Sequence, residues 1–310
     1  MLEHIKQVLD NAGMTPEDTA ALAPLVATPP AGTFDAAELG AANEAQMALL
    51  AAVVAARRSQ QFGTALQRLL GCVDAAQVSL SDYDRGRFWH LKGVVAWRLD
   101  DALYSATRAL NRGIALLQGL ETLPAQAYLG RIFDTFGQIL QHQGLLHDAR
   151  LEFERALVCK RAGKDRYGTA LTLGNLGRLC MELGDFAAAA RYLRRDLRLM
   201  SASPQHETTR QRLQLLSHLG TCALERSKQR SGPPQQEKLQ EAREAFAQSA
   251  SLAQAHAAHD GLVFAALGLG KVALLEADLA EARHQVQAAR RHLRRAHLPA
   301  LFQELSLIHI

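Results

Sequence analysis

The sequence predicts an all-α solenoid of antiparallel helix pairs, and three observations predict it. Ala, Leu, Arg, Gln and Glu, all residues that enter a helix at little cost, dominate the 310 positions, and aromatic residues make up only 5%. Runs rich in Val, Ile and Thr, which would mark strands, are scarce. Glycine returns at a near-regular interval, at Gly93, Gly137, Gly177, Gly220 and Gly270, with steps of 44, 40, 43 and 50. The nine prolines, at 16, 24, 29, 30, 124, 204, 233, 234 and 299, can each be placed between helices or in a first helical turn, where a missing N–H does no harm.

Residues 1–45 stand outside the repeat and read as an N-terminal helical cap or adaptor. Leu2–Asn11 suits one helix. Thr15-Pro16-Glu17-Asp18 opens another, with a capping hydroxyl, proline at the first position and acids in the first turn. Thr28 to Thr33 is a linker, and Asp35 caps the helix after it.

From residue 46 to 296 the unit repeats. Phe133, Phe136 and Leu140 around Gly137 align with Leu173, Leu176 and Cys180 around Gly177, and with Leu216, Leu219 and Ala223 around Gly220. Ala266, Leu269 and Ala273 around Gly270 continue the series, and Trp89, Lys92 and Ala96 around Gly93 precede it. Each copy has a second half of small and large residues: Ala149, Phe153 and Ala156; Ala189, Leu193 and Asp196; Ala282, Val286 and Ala289. Ala242, Phe246 and Ser249 follow Gly220 ten residues late, which assigns Lys228–Gln236 to an inserted loop, and Ala106, Leu110 and Gly113 close the Trp89 copy. A degenerate leading copy has Phe62, Ala65, Leu69 and Cys72, with Val53 in place of glycine, making about six units. Small residues let two short helices approach while a large one fills the gap, and Gly144, Gly184-Asp185 and Ala277-Asp278 supply the turns between them.

This constellation resembles the tetratricopeptide repeat in its longer-unit form. The resemblance implies a right-handed superhelix whose first helices line a concave groove for a peptide or helical segment. Carried over by position, the groove-facing partner-binding candidates are Arg131, Asp134, Gln138, Asn175, Arg178, His218 and Lys271. Asn175 matches an asparagine that such repeats use to hold a partner's backbone, and Arg131, Arg178 and Lys271 favour an acidic segment. The set of Lys and Asn that would grip a chaperone's C-terminal carboxylate is incomplete, so chaperone binding is not expected.

Composition narrows the function further. A net charge of +4 does not call for nucleic acid or membrane. Cys72, Cys159, Cys180 and Cys222 form no CxxC pair and read as small core residues in a reducing compartment. No signal-peptide layout opens the chain, and Met47–Ala56 is too short an apolar run to span a bilayer, so a cytoplasmic protein is expected.

Apparent chemical motifs yield to packing. Leu267-Gly268-Leu269-Gly270-Lys271 has no glycine five residues before Gly270 and Val272 where a phosphate loop needs Ser or Thr. His256 and His259 could share a helix face as a metal pair does, but lack a third ligand at a recognisable spacing. No HExxH or GxSxG occurs, and Glu152 and Glu154 lie on opposite sides of a helix. No enzyme, cofactor or metal is expected. Arg290–His297 is the most basic run and supports a second alternative, nucleic-acid binding, against a solvated helix end. The tail 297–310 begins another helix after Pro299 and stops on an apolar stretch; it reads as truncated or atypical, and the chain as one arm of a larger signalling or transcription-regulating protein whose effector domain is missing.

Overall fold

The computed structural model describes residues 1–29, 36–57, 59–76, 79–201 and 209–296. The expected tail at 297–310, most of the linker after Pro29 and the cap at Asp35 lie outside them. Among the described residues the regular elements are fifteen α-helices: α1 (Leu2–Asn11), α2 (Pro16–Ala27), α3 (Ala36–Gly40), α4 (Glu44–Arg57), α5 (Ser59–Ala76), α6 (Asp82–Arg98), α7 (Leu103–Gln118), α8 (Leu123–His142), α9 (Leu146–Ala162), α10 (Arg166–Glu182), α11 (Phe186–Ser201), α12 (Thr209–Lys228), α13 (Pro233–Ala255), α14 (His259–Leu275) and α15 (Leu279–Ala296).

The fold is of the predicted class, an α-solenoid type built from adjacent helix pairs: α4 with α5, α6 with α7, α8 with α9, α12 with α13 and α14 with α15. The chain forms two compact units, Met1–Thr172 and Leu173–Ile310, which divide within α10.

In the first unit α1 and α2 pack on each other and on α4, so Ile5, Leu9 and Leu22 share one core with Leu49, Leu66 and Phe88. Thr15 caps α2 as expected, its hydroxyl accepting from the Asp18 N–H at 3.1 Å, a contact that stabilises by about 1 kcal/mol. Ser81 and Thr122 cap α6 and α8 in the same way. Pro24 departs from the expectation, because it sits inside α2, which continues to Ala27. The leading repeat is correct at Ala65 and Leu69, both buried, but Cys72 is exposed and Val73 takes the inward position. Phe62 is buried at a kink in α5.

The glycine stripe works by close approach. A Cβ on Gly137 would lie 2.7 Å from the buried Phe153 ring, and one on Gly93 would lie 2.7 Å from the Leu110 side chain. The second unit repeats the device at Gly177 against Leu193 and at Gly220 against Phe246. Gly270 differs: its nearest neighbour would be 3.5 Å away, an ordinary contact, and the tight position in α14 is Gly268, which meets Phe246. Asp196 occupies a small-residue position and is buried, with Gly174 leaving room for its carboxylate.

Turns follow the sequence. Gly144 and Gly184 take φ of +77° and +75°, and Ala277 takes +61° at the matching turn. Asp185 and Asp278 then cap α11 and α15 through the N–H groups of Ala188 and Glu281, both at 2.9 Å. The loop expected over Lys228–Gln236 is present but shorter, at residues 229–232: α12 runs to Lys228, and α13 starts at Pro233 with prolines in its first turn. Pro233 and Pro234 begin the helix because their fixed φ suits its first turn. Of the four cysteines, Cys180 and Cys222 are buried and Cys159 is half-buried. No helix among the described residues is long and apolar enough to cross a membrane.

Candidate partner-binding surface

In the first unit, the first helices α4, α6 and α8 of successive pairs touch in series. Where α6 meets α8, a polar and aromatic cluster fills the contact. Arg87 is 1% exposed, with its guanidinium 5.3 Å from the Tyr83 ring centre and 5.6 Å from that of Tyr128. Its charge is met by Glu38 on α3 and by Asp84 at 3.5 Å. Burial works against the Arg87 charge, but Tyr128, Tyr83 and Glu38 together raise its pKa above the ordinary value. The Tyr83 phenol is pushed up to about 12 by burial.

His90 completes the cluster. Its Nε2 lies 2.8 Å from Thr135 Oγ1 and its Nδ1 lies 3.2 Å from the Tyr128 hydroxyl. Thr135 gives its own proton to the Arg131 carbonyl at 3.2 Å, so His90 Nε2–H must be the donor and Nδ1 the acceptor from Tyr128. Burial, with the positive charges of Arg131, Arg98 and Lys160, lowers the His90 pKa to about 3 and keeps this tautomer neutral.

The predicted residues fall into two groups. Asp134 is buried and paired with Lys160, which is 2% exposed and also donates to Thr172 Oγ1 at 2.9 Å and to the Gly168 carbonyl at 3.2 Å. Its position is an internal ion pair between α8 and α9, not an open surface, because Lys160 approaches over Gly130. Arg131 is half-buried, stacks at 5.3 Å on Tyr128 and lies 3.8 Å from Asp165, while Gln138 is half-buried on the same helix. In the second unit Asn175 is buried, and its Oδ1 accepts from Arg178 Nη2 at 2.6 Å, so it holds an exposed guanidinium in place. His218 on α12 is half-buried, and burial followed by the Arg178 charge lowers its pKa. Lys271 on α14 is exposed, and α12 and α14 lie in contact.

Sequence reasoning missed Arg87, Tyr83, Tyr128 and Glu38. The only available signal was the spacing of Tyr83 and Arg87 four apart and of Tyr128 and Arg131 three apart, each on one helix face. His256 and His259 do not share a helix: His256 caps the end of α13 and His259 opens α14, where it stacks at 5.6 Å on His292 of α15. Arg290, Arg291, Arg294 and Arg295 are exposed toward the C-terminal end of α15, where positive charge complements the helix dipole, and His297 lies outside the described residues.

Residues 125–202 match the family model of the tetratricopeptide repeat. No curated protein matches the chain. Among solved structures it is similar to BtubC (BKLC) from P. vanneervenii, with 14% identity and a TM-score of 0.57 over 82% of this chain and 92% of that one. It is also similar to the apo form of RapI, with 12% identity and a TM-score of 0.51 over 82% of this chain and 100% of that one. At such identities the likeness is one of fold. The stretch from α8 to α11 thus matches the tetratricopeptide repeat, within a chain whose fold is that of tetratricopeptide-like helical repeat proteins.

Proposed function

We propose that this chain is a non-catalytic scaffold that binds an acidic segment of a protein partner along the exposed face of its first helices. The observation that carries the reading is a cationic side chain on a first helix in each unit: Arg131 on α8 in the first, and Arg178 on α10 and Lys271 on α14 in the second. Among the described residues, Arg178 and Lys271 have no carboxylate within ion-pair distance, and the Arg131 guanidinium keeps 3.8 Å from Asp165. Such groups favour a carboxylate brought by another chain, which gains more from an unpaired cation than from one already neutralised.

Two further features support an acidic partner. Asn175 holds the Arg178 side chain, so less rotamer freedom is lost when a carboxylate binds. Glu38 already places a carboxylate against Arg87 between two tyrosine rings, so this kind of contact has a worked example within the first unit. His218 lies close enough to Arg178 for that charge to lower its pKa, and Gln138 shares α8 with Arg131. Asp134, locked on Lys160, contributes to the framework that positions α8.

The test is affinity capture from cell extract with mass spectrometry, repeated with the Arg131→Glu and Arg178→Glu double variant. A partner retained by the parent chain should be lost, or weakened at least tenfold, in the variant. Equal retention by both would overturn the reading.

A further inference from the structure

The geometry points to a second interaction surface, a cleft between α5 and α7 floored by α6, that takes a short acidic peptide segment carrying apolar side chains between its carboxylates. This cleft, about 540 Å³, is separate from the first-helix surface proposed above, because its walls are second helices.

Its composition is that of a protein-binding hot spot, in which Trp, Tyr and Arg dominate. Trp89 on α6 is half-buried in the cleft, and the Arg112 guanidinium of α7 lies 4.5 Å from its ring centre. Arg108 and Tyr104 continue along α7 at successive four-residue steps, so all three share one helix face, and Tyr104 is 80% exposed. Tyr104, Arg108 and Arg112 also line a shallow depression that extends the cleft outward.

The charges are arranged to leave the arginines available. Asp74 is taken by Lys92 at 2.7 Å, and Asp100 accepts from Gln67 at 3.3 Å. Among the described residues neither Arg108 nor Arg112 has a carboxylate within ion-pair distance. Four residues separate them, about 6 Å along the axis, close to the roughly 6.6 Å between alternate residues of an extended strand. Two glutamates in alternation therefore reach both guanidiniums, and the apolar residue between them points the other way, toward Leu70 in the α5 wall.

The probe is a fluorescein-labelled octapeptide of alternating glutamate and leucine, added to the full chain carrying Trp97→Phe so that Trp89 is the single indole. Saturable rise in anisotropy with a matching change in Trp89 emission is expected. Arg108→Glu with Arg112→Glu, both surface positions, should weaken binding at least tenfold with an unchanged helical spectrum, and Arg131→Glu with Arg178→Glu should leave it intact. The proposal is overturned by any of four results: no saturable binding, binding indifferent to the α7 reversal, equal loss in the first-helix reversal, or a labelled octauridylate bound at least as tightly.

Discussion

Replacing Lys160 by Met should destabilise the first unit by about 3–5 kcal/mol, because it removes one partner of a buried ion pair and strands the other. Lys160 is 2% exposed and Asp134 8%, so water cannot readily replace the ammonium. Met preserves most of the stem that packs over Gly130, so the loss isolates charge rather than volume. The carboxylate would keep the Thr172 hydroxyl at 3.0 Å, a neutral donor that does not replace the ammonium's charge. At about 2–4 °C per kcal/mol, the thermal midpoint followed by far-ultraviolet circular dichroism should fall by roughly 10 °C. Adding Asp134→Leu should recover most of the loss, since an apolar pair can replace a buried ionic one. Thr172 can still donate to the Gly168 carbonyl at 3.0 Å in that double variant. A single-variant cost below about 1 kcal/mol, the range of exposed pairs, would refute the reasoning by showing that the pair is solvated.

Gly137→Ala should cost about 1–3 kcal/mol, because its Cβ would stand 2.7 Å from the fully buried Phe153 ring, whereas Gly270→Ala, with its nearest neighbour at 3.5 Å, should gain up to about 1 kcal/mol. Urea unfolding of the two variants separates these signs. Ala277→Gly should raise the thermal midpoint, since relieving the φ of +61° returns about 0.5–1 kcal/mol. His90 has a folded-state pKa of about 3 against the ordinary 6.5, so the unfolded chain binds the extra proton and stability falls as pH drops below 6.5. Between pH 7 and 5 the loss from this group should be about 2 kcal/mol, and a parallel denaturation series on His90→Gln should show a flatter profile.

Most of the fold was legible because helix pairing writes itself into the chain as spacing. Gly137, Ala149 and Phe153 must be small, small and large for geometric reasons, and that pattern survives without an alignment. Gly270 shows the limit: its sequence position matches Gly220, yet the close contact falls at Gly268 because the Phe246 ring reaches across from the preceding pair. The candidate site was less legible. Asp134 has the spacing of a surface residue on α8, but Lys160, 26 positions away, and Thr172, 38 positions away, meet it in the interior. Arg87 offers the same lesson, since an arginine enclosed by Tyr83, Tyr128 and Glu38 depends on three segments that no local pattern connects. Arg131, Arg178 and Lys271 were recognisable as cations, but which of them is held by a neighbour, as Arg178 is by Asn175, required coordinates.

The Phe246 ring also bears on how the second unit opens. It fills the space beside Gly220 within its own pair and beside Gly268 in the next, so one side chain belongs to two neighbouring hairpins. A linear array is held by terms internal to each repeat and terms between neighbours, and here a single benzyl group enters both. Lifting α14 away uncovers the ring, and an uncovered ring no longer braces α12 against α13. Local opening of either hairpin thereby weakens the other. Amide-exchange protection over α12 to α15 should rise and fall together, a cooperative block inside an architecture that otherwise permits its repeats to fray one at a time.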